Sequence, residues 1–186
     1  YKLVILTYLI TGHWLSPEQI TLEGIDHLEL ADFEYARRMG REIKLIANLR
    51  LLEQGIQVYV LPVMIKKDEM LAKISGSTNA ITLSGKFSED ITLIGKGAGS
   101  LPTASAIVSD LNKVLRHPEP FPPPPVTSKL LLESIENIRF RHTLRFEVRD
   151  HPGIFGHIGS IFERHSINIY ALEQLPQYNR IGIEGE

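Results

Sequence analysis

"IKLIANLRLLEQGIQVYVLPVMI", residues 43–65, is the stretch whose reading decides the fold. Residues 43–52 and 56–65 are runs of aliphatic and β-branched side chains, the composition of strands. Glu53, Gln54 and Gly55 separate them, a short glycine-containing connection that suits a hairpin. Upstream, "LADFEYARRMG" (30–40) reads as a helix stopped by Gly40. Before it, "SPEQ" (16–19) has the form of a capping box, with Ser16 at the N-cap, Pro17 next and Gln19 third. Downstream, 67–74 is predicted as a short helix, "NAITLSG" (79–85) and "DITLIG" (90–95) as strands, and 102–115 as a longer helix. Helices and strands fall in runs instead of alternating strictly. The fold class is therefore α+β, a mixed sheet covered by helices.

Composition narrows the function classes. The chain has 186 residues, 43% of them hydrophobic and 23% charged, which is ordinary for a globular protein able to bury a sizeable core. A net charge of −2 gives no basic footprint, so no nucleic-acid partner is expected. Cysteine is absent, which excludes disulfides and Cys-ligated metals. "LVILTYLI" (3–10) is apolar almost all round but far too short to span a bilayer, and it lacks the flanks of a signal peptide. It reads as a buried helix whose N-terminal cap lies upstream of residue 1. The expectation is a cytoplasmic protein with no membrane partner.

"HPEPFPPPP" (117–125) forbids helix and reads as a semi-rigid linker, taken as 117–128, between a first domain (1–116) and a second (129–186). The second is predicted to hold a helical stretch near 129–137, a strand at 143–150, a turn at "HPG", a helix at 154–165 and a strand at 167–175. A further strand is expected near Ile181, Gly182 and Ile183. Ile154, Phe155, Ile158, Ile161 and Phe162 recur at helical spacing.

Three stretches carry a resemblance to a known family. "GKGAGSLPTASAIVSDL" (95–111) resembles the loop and helix that close the catalytic domain of homoserine dehydrogenases. "TLEGIDHLELADFEYARRMGREIKLIA" (21–47) is similar to that family's strand–helix–strand segment. "YKLVIL" (1–6) is similar to the start of its long helix after a D-x-x-x-K motif. In the second domain, "VRDHPGIFGHIGSIFERHSINI" (148–169) resembles an ACT module, a βαββαβ amino-acid-sensing unit of ferredoxin-like form, here lacking its second helix and fourth strand.

The resemblance implies an NAD(P)-dependent oxidoreductase that interconverts L-aspartate 4-semialdehyde and L-homoserine, in the biosynthesis of threonine, methionine and isoleucine. It implies that Lys2 is the proton-transferring residue. It also implies that Gly97, Ala98 and Gly99 pack beside the nicotinamide end of NAD(P), held mainly by an N-terminal nucleotide-binding domain whose fingerprint this sequence lacks. The chain therefore reads as a fragment of a longer enzyme, inactive by itself. Without the resemblance, Lys2 is a solvated lysine and the glycines a strand-to-helix turn.

In the ACT-like segment, Asp150, His151, Gly153, Ile154 and Asn168 are the residues placed to hold an amino-acid effector such as threonine. The amides of Gly153 and Ile154 would meet its carboxylate, and the Asn168 carbonyl would accept from it. Turn chemistry and strand capping account equally well for Asp150 and Asn168. No metal site is expected, since His157 and His165 are eight residues apart and not on the i, i+4 spacing of a helical metal pair. The resemblance implies self-association as a dimer or tetramer, since the family's catalytic sheets pair across subunits. The apolar density of 43–52 and 56–65 suits a second buried face. The alternative reading is a non-catalytic amino-acid-sensing or assembly module built from the same parts.

Overall fold

The computed structural model describes residues 1–117, 131–149 and 151–174. The chain divides into two compact units, Tyr1–Phe140 and Arg141–Glu186. The proline-rich segment, the third strand near Ile183, and Asp150 lie outside the described residues.

The first unit is built on the predicted hairpin. β2 (Arg41–Leu51) and β3 (Ile56–Lys66) pair antiparallel over their full length, from Arg41 opposite Lys66 to Leu51 opposite Ile56. The Leu52 N–H donates to the Gly55 carbonyl at 2.8 Å and closes the turn. β1 (Thr21–Leu22) adds to the other side of β3 in parallel, so the three-stranded sheet is mixed, in the order β1-β3-β2. Pro62 sits inside central β3, opposite Leu45 and just past the end of β1. A residue with no N–H is tolerated there because the missing donor would face a side with no strand to receive it.

Side chains alternate across β3. Ile56 and Val58 point into the core with Leu3 and Leu15, flanked by Ile20, Leu49, Val60 and Leu132. Leu3 belongs to α1 (Lys2–Thr11), which packs against β2. Two polar residues on the buried stripe of α1, Thr7 and Thr11, are satisfied within the helix. Thr7 Oγ1 donates to the Leu3 carbonyl at 2.8 Å and Thr11 Oγ1 to the Thr7 carbonyl at 2.7 Å. Gly12, in the left-handed region at φ 75°, ends α1, its N–H donating to the Tyr8 carbonyl.

At "SPEQ" the expected cap forms, with the Ser16 N–H donating to Gln19 Oε1 at 2.9 Å, but it heads only a single 3₁₀ turn, Pro17–Gln19. α2 (Leu30–Arg38) ends before Gly40 as predicted and packs on β2. The predicted helix 67–74 shortens to a 3₁₀ turn, Met70–Lys73. Beyond it β4 (Thr78–Leu83) and β5 (Ile91–Lys96) form a separate two-stranded sheet.

The predicted helix near 129–137 reduces, among the described residues, to a 3₁₀ turn at Ile135–Asn137. Its upstream backbone is used elsewhere: the Leu131 carbonyl accepts from Ile56 N–H and the Glu133 N–H donates to the Ile56 carbonyl. That bridge adds residues 131–140 to the first unit, and Tyr59 meets Phe140 edge-on at 5.4 Å.

In the second unit the predicted helix forms as α4 (Ile154–Arg164). The expected strands at 143–150 and 167–175 carry no ladder among the described residues. Phe146 nonetheless packs edge-on against Phe162 of α4 at 6.4 Å.

Candidate functional site

Two places in the first unit carry the sequence-predicted chemistry. Lys2 begins α1, directly before Leu3 and Val4, which are 5% and 1% exposed. The neighbouring core contacts fix its backbone, whereas its side chain is exposed and makes no hydrogen bond among the described residues. The position is thus anchored in the main chain.

The glycine loop is built by the β4–β5 hairpin. Its register runs from Thr78 opposite Lys96 to Leu83 opposite Ile91, with the Thr82 and Thr92 hydroxyls 2.9 Å apart. The pairing continues one residue further, Gly97 N–H donating to the Ser77 carbonyl at 2.8 Å. Gly99, at φ 126° and ψ 147°, then turns the chain into α3 (Ser100–Arg116). Only glycine adopts that conformation readily. The Gly99 carbonyl accepts from Thr103 twice, from its N–H at 3.1 Å and its Oγ1 at 2.8 Å.

α3 begins two residues before the predicted start, so Pro102 lies within the first turn, where a missing N–H costs nothing. The N–H groups of Ala98, Gly99, Ser100 and Leu101 make no hydrogen bond among the described residues, and all four residues are exposed. An open row of backbone donors at a bulk-free turn fits a planar amide or an anion. Lys44, half-buried on β2, ties the sheet to the approach of this hairpin: its Nζ donates to the Ile74 carbonyl at 2.7 Å. No hydrogen bond links Lys2 to Gly97, Ala98 or Gly99 among the described residues.

In the second unit, His151, Pro152, Gly153, Ile154, Phe155 and Gln174 line an open recess. Three predicted ligand residues, His151, Gly153 and Ile154, thus come together; Asn168 is exposed and does not line it, and Asp150 lies outside the described residues. Ile154 differs from expectation: its N–H is not free but donates to the His151 carbonyl at 3.4 Å, closing the turn that starts α4. Gly153, at φ 92°, N-caps that helix, and its N–H makes no hydrogen bond among the described residues. Lys44, Asn79 and Gln174 were not singled out from sequence; a lysine inside an apolar strand and an asparagine heading another were the available signals. Among the described residues, no three His, Cys, Asp or Glu side chains gather as a metal site requires.

Comparisons with known proteins agree on one family. The homoserine dehydrogenase family model matches residues 1–111. The chain is 32% identical over 184 residues to a homoserine dehydrogenase of Neisseria gonorrhoeae, covering 94% of this chain and 42% of that protein. It is 35% identical over 173 residues to that of Helicobacter pylori, covering 91% and 40%. The crystal structure of a homoserine dehydrogenase from Thiobacillus denitrificans aligns at a TM-score of 0.74 with 31% identity, over 93% of this chain and 42% of that one. Fold and loop together define an α+β protein in which a glycine turn joins a hairpin to a long helix beside a small mixed sheet. The chain belongs to the homoserine dehydrogenase family. It spans about two fifths of the length of the curated relatives it matches.

Proposed function

We propose that this chain is the substrate-side and regulatory portion of an NAD(P)-dependent homoserine dehydrogenase, interconverting L-aspartate 4-semialdehyde and L-homoserine in the route to threonine, methionine and isoleucine. The observation that carries the reading is the Gly97–Gly99 turn, where the Ala98 and Gly99 N–H groups are exposed and make no hydrogen bond among the described residues at the start of α3.

When bound, the nicotinamide supplies the hydride in the reducing direction and takes it in the other. Gly97, Ala98 and Gly99 would flank it without bulk, Ala98 and Gly99 offering backbone N–H groups. As the carbonyl carbon gains hydride, its π pair moves to oxygen. The Lys2 ammonium gives that oxygen a proton and is left as the neutral amine; in the oxidising direction the amine takes the hydroxyl proton back. A protein of full family length should reduce aspartate semialdehyde, followed as loss of NAD(P)H absorbance, and lose this on Lys2→Ala. No turnover by the unsubstituted full-length protein would remove the reading.

The recess at His151–Phe155 and Gln174 favours a second role, feedback by an amino acid at an ACT module. The Gly153 N–H would donate to the effector carboxylate. Calorimetric titration with threonine, isoleucine and methionine tests this, and absence of heat with all three leaves the module an assembly element.

A further inference from the structure

The two outer glycines of the loop are glycine for different reasons. Gly99 needs its conformation, at φ 126°. Gly97 does not, because it is not among the glycines at positive φ. A side chain there would have to displace a neighbour. A Cβ built on Gly97 would overlap Nδ2 and Cγ of Asn79 and lie 2.9 Å from its Oδ1. Asn79 stands directly opposite Gly95, where a Cβ would meet nothing within 4 Å. Its amide therefore reaches along the bare edge of β5 to the diagonal position, the reach expected of a cross-strand neighbour.

Three further facts make Asn79 unusual. Asparagine is disfavoured in strands. The same face of the hairpin is otherwise apolar, carrying Ile81 and Leu83 on β4 and Ile91 and Leu93 on β5. And the Asn79 side chain is exposed and makes no hydrogen bond among the described residues, so neither burial nor pairing accounts for it.

We propose that Asn79 is a positioning residue whose amide packs into the space left by Gly97 and sets the path of the Gly97–Gly99 turn. The backbone is pinned on one side by the Gly97 N–H bond to Ser77 and on the other by the Gly99 conformation and the Thr103 bonds. Asn79 fixes the peptide between these pins, and with it the direction of the Ala98 N–H. The inference rests on the reading that this turn meets the nicotinamide.

The test is a double-mutant cycle of Asn79→Ala and Gly97→Ala in the full-length protein, with Gly99→Ala as a separate probe of the loop. The readouts are melting temperature, NADPH dissociation constant by fluorescence titration, and KM for homoserine. Gly97→Ala should weaken NADPH binding on the order of tenfold with homoserine KM unchanged, and Asn79→Ala about threefold. The double variant should bind like Asn79→Ala alone, because the steric conflict disappears with the amide; coupling of this kind between packed neighbours is what such cycles detect. Multiplicative losses in the double variant would overturn the inference while leaving the loop's cofactor role standing. Coupling seen in melting temperature, with NADPH binding unchanged in every variant including Gly99→Ala, would remove the cofactor role and with it Asn79's bearing on it.

Discussion

Lys2→Ala separates chemistry from folding more sharply than any other change in the chain. The side chain is exposed and unbonded among the described residues, so its truncation opens no cavity and orphans no partner. Alanine and lysine are both good helix formers. The melting temperature should therefore hold, a substitution at an exposed position usually being worth about 0.5 kcal/mol or less. Activity should fall. Loss of a general acid–base group lowers kcat by on the order of 10² to 10⁴. That is about 2.7–5.5 kcal/mol of barrier, at 1.36 kcal/mol per decade. The assay is steady-state turnover of homoserine at saturating nucleotide, with a melt on the same preparation. Lys2→Arg adds a second arm: guanidinium keeps the positive charge but does not deprotonate near neutrality, so binding should survive and turnover should not. Near-normal turnover of Lys2→Ala would refute the proton-transfer role. A melting temperature that falls with activity would attribute the loss to folding.

Other consequences follow from the core and the sheet. Ile56 is 1% exposed and heads β3 within the cluster of Leu3, Leu15 and Val58, so Ile56→Ala should cost about 2–5 kcal/mol, read as a lowered urea midpoint. A cost below about 1 kcal/mol would mean the site collapses around the smaller side chain. The Tyr59 phenol is pushed above its ordinary value by burial, which the nearby Arg50 charge partly offsets. A raised folded pKa favours the protonated form in the native state, so its contribution is complete below the ordinary phenol value of about 10 and is lost as pH rises through the folded value. Alkaline melts should therefore steepen above that point and flatten in Tyr59→Phe. β2 is an edge of its sheet, with its outer side unpaired among the described residues, so the chain should self-associate. Light scattering that reports a monomer at tens of micromolar would count against it.

The first unit was legible where local rules and packing agree. The hairpin at 43–65 follows from composition and a glycine turn, and its observed register pairs all of β2 with all of β3. The helix end near Gly40 follows from the left-handed cap. The failures have physical causes. Residues 67–74 have helical propensity, but nucleating a helix over so few residues is unfavourable, and a 3₁₀ turn results. Residues 131–133 are bonded to Ile56, a long-range use of backbone that no local pattern announces. The strands expected at 143–150 and 167–175 run into positions outside the described residues, and no ladder forms among those described.

The site was legible only in part, for a deeper reason. Sequence marks a glycine but not its surroundings: Gly99 turns at a positive φ, whereas Gly97 lies against the Asn79 side chain. The same ambiguity covers Lys2, which in sequence is one more charged residue. It becomes informative once Leu3 and Val4 are seen to be buried beside it. Asn79, a poor strand former on an apolar face, costs something locally and makes no hydrogen bond among the described residues to offset it. Such local conflicts are expected where function overrides foldability, and this one stands beside the hairpin–helix turn.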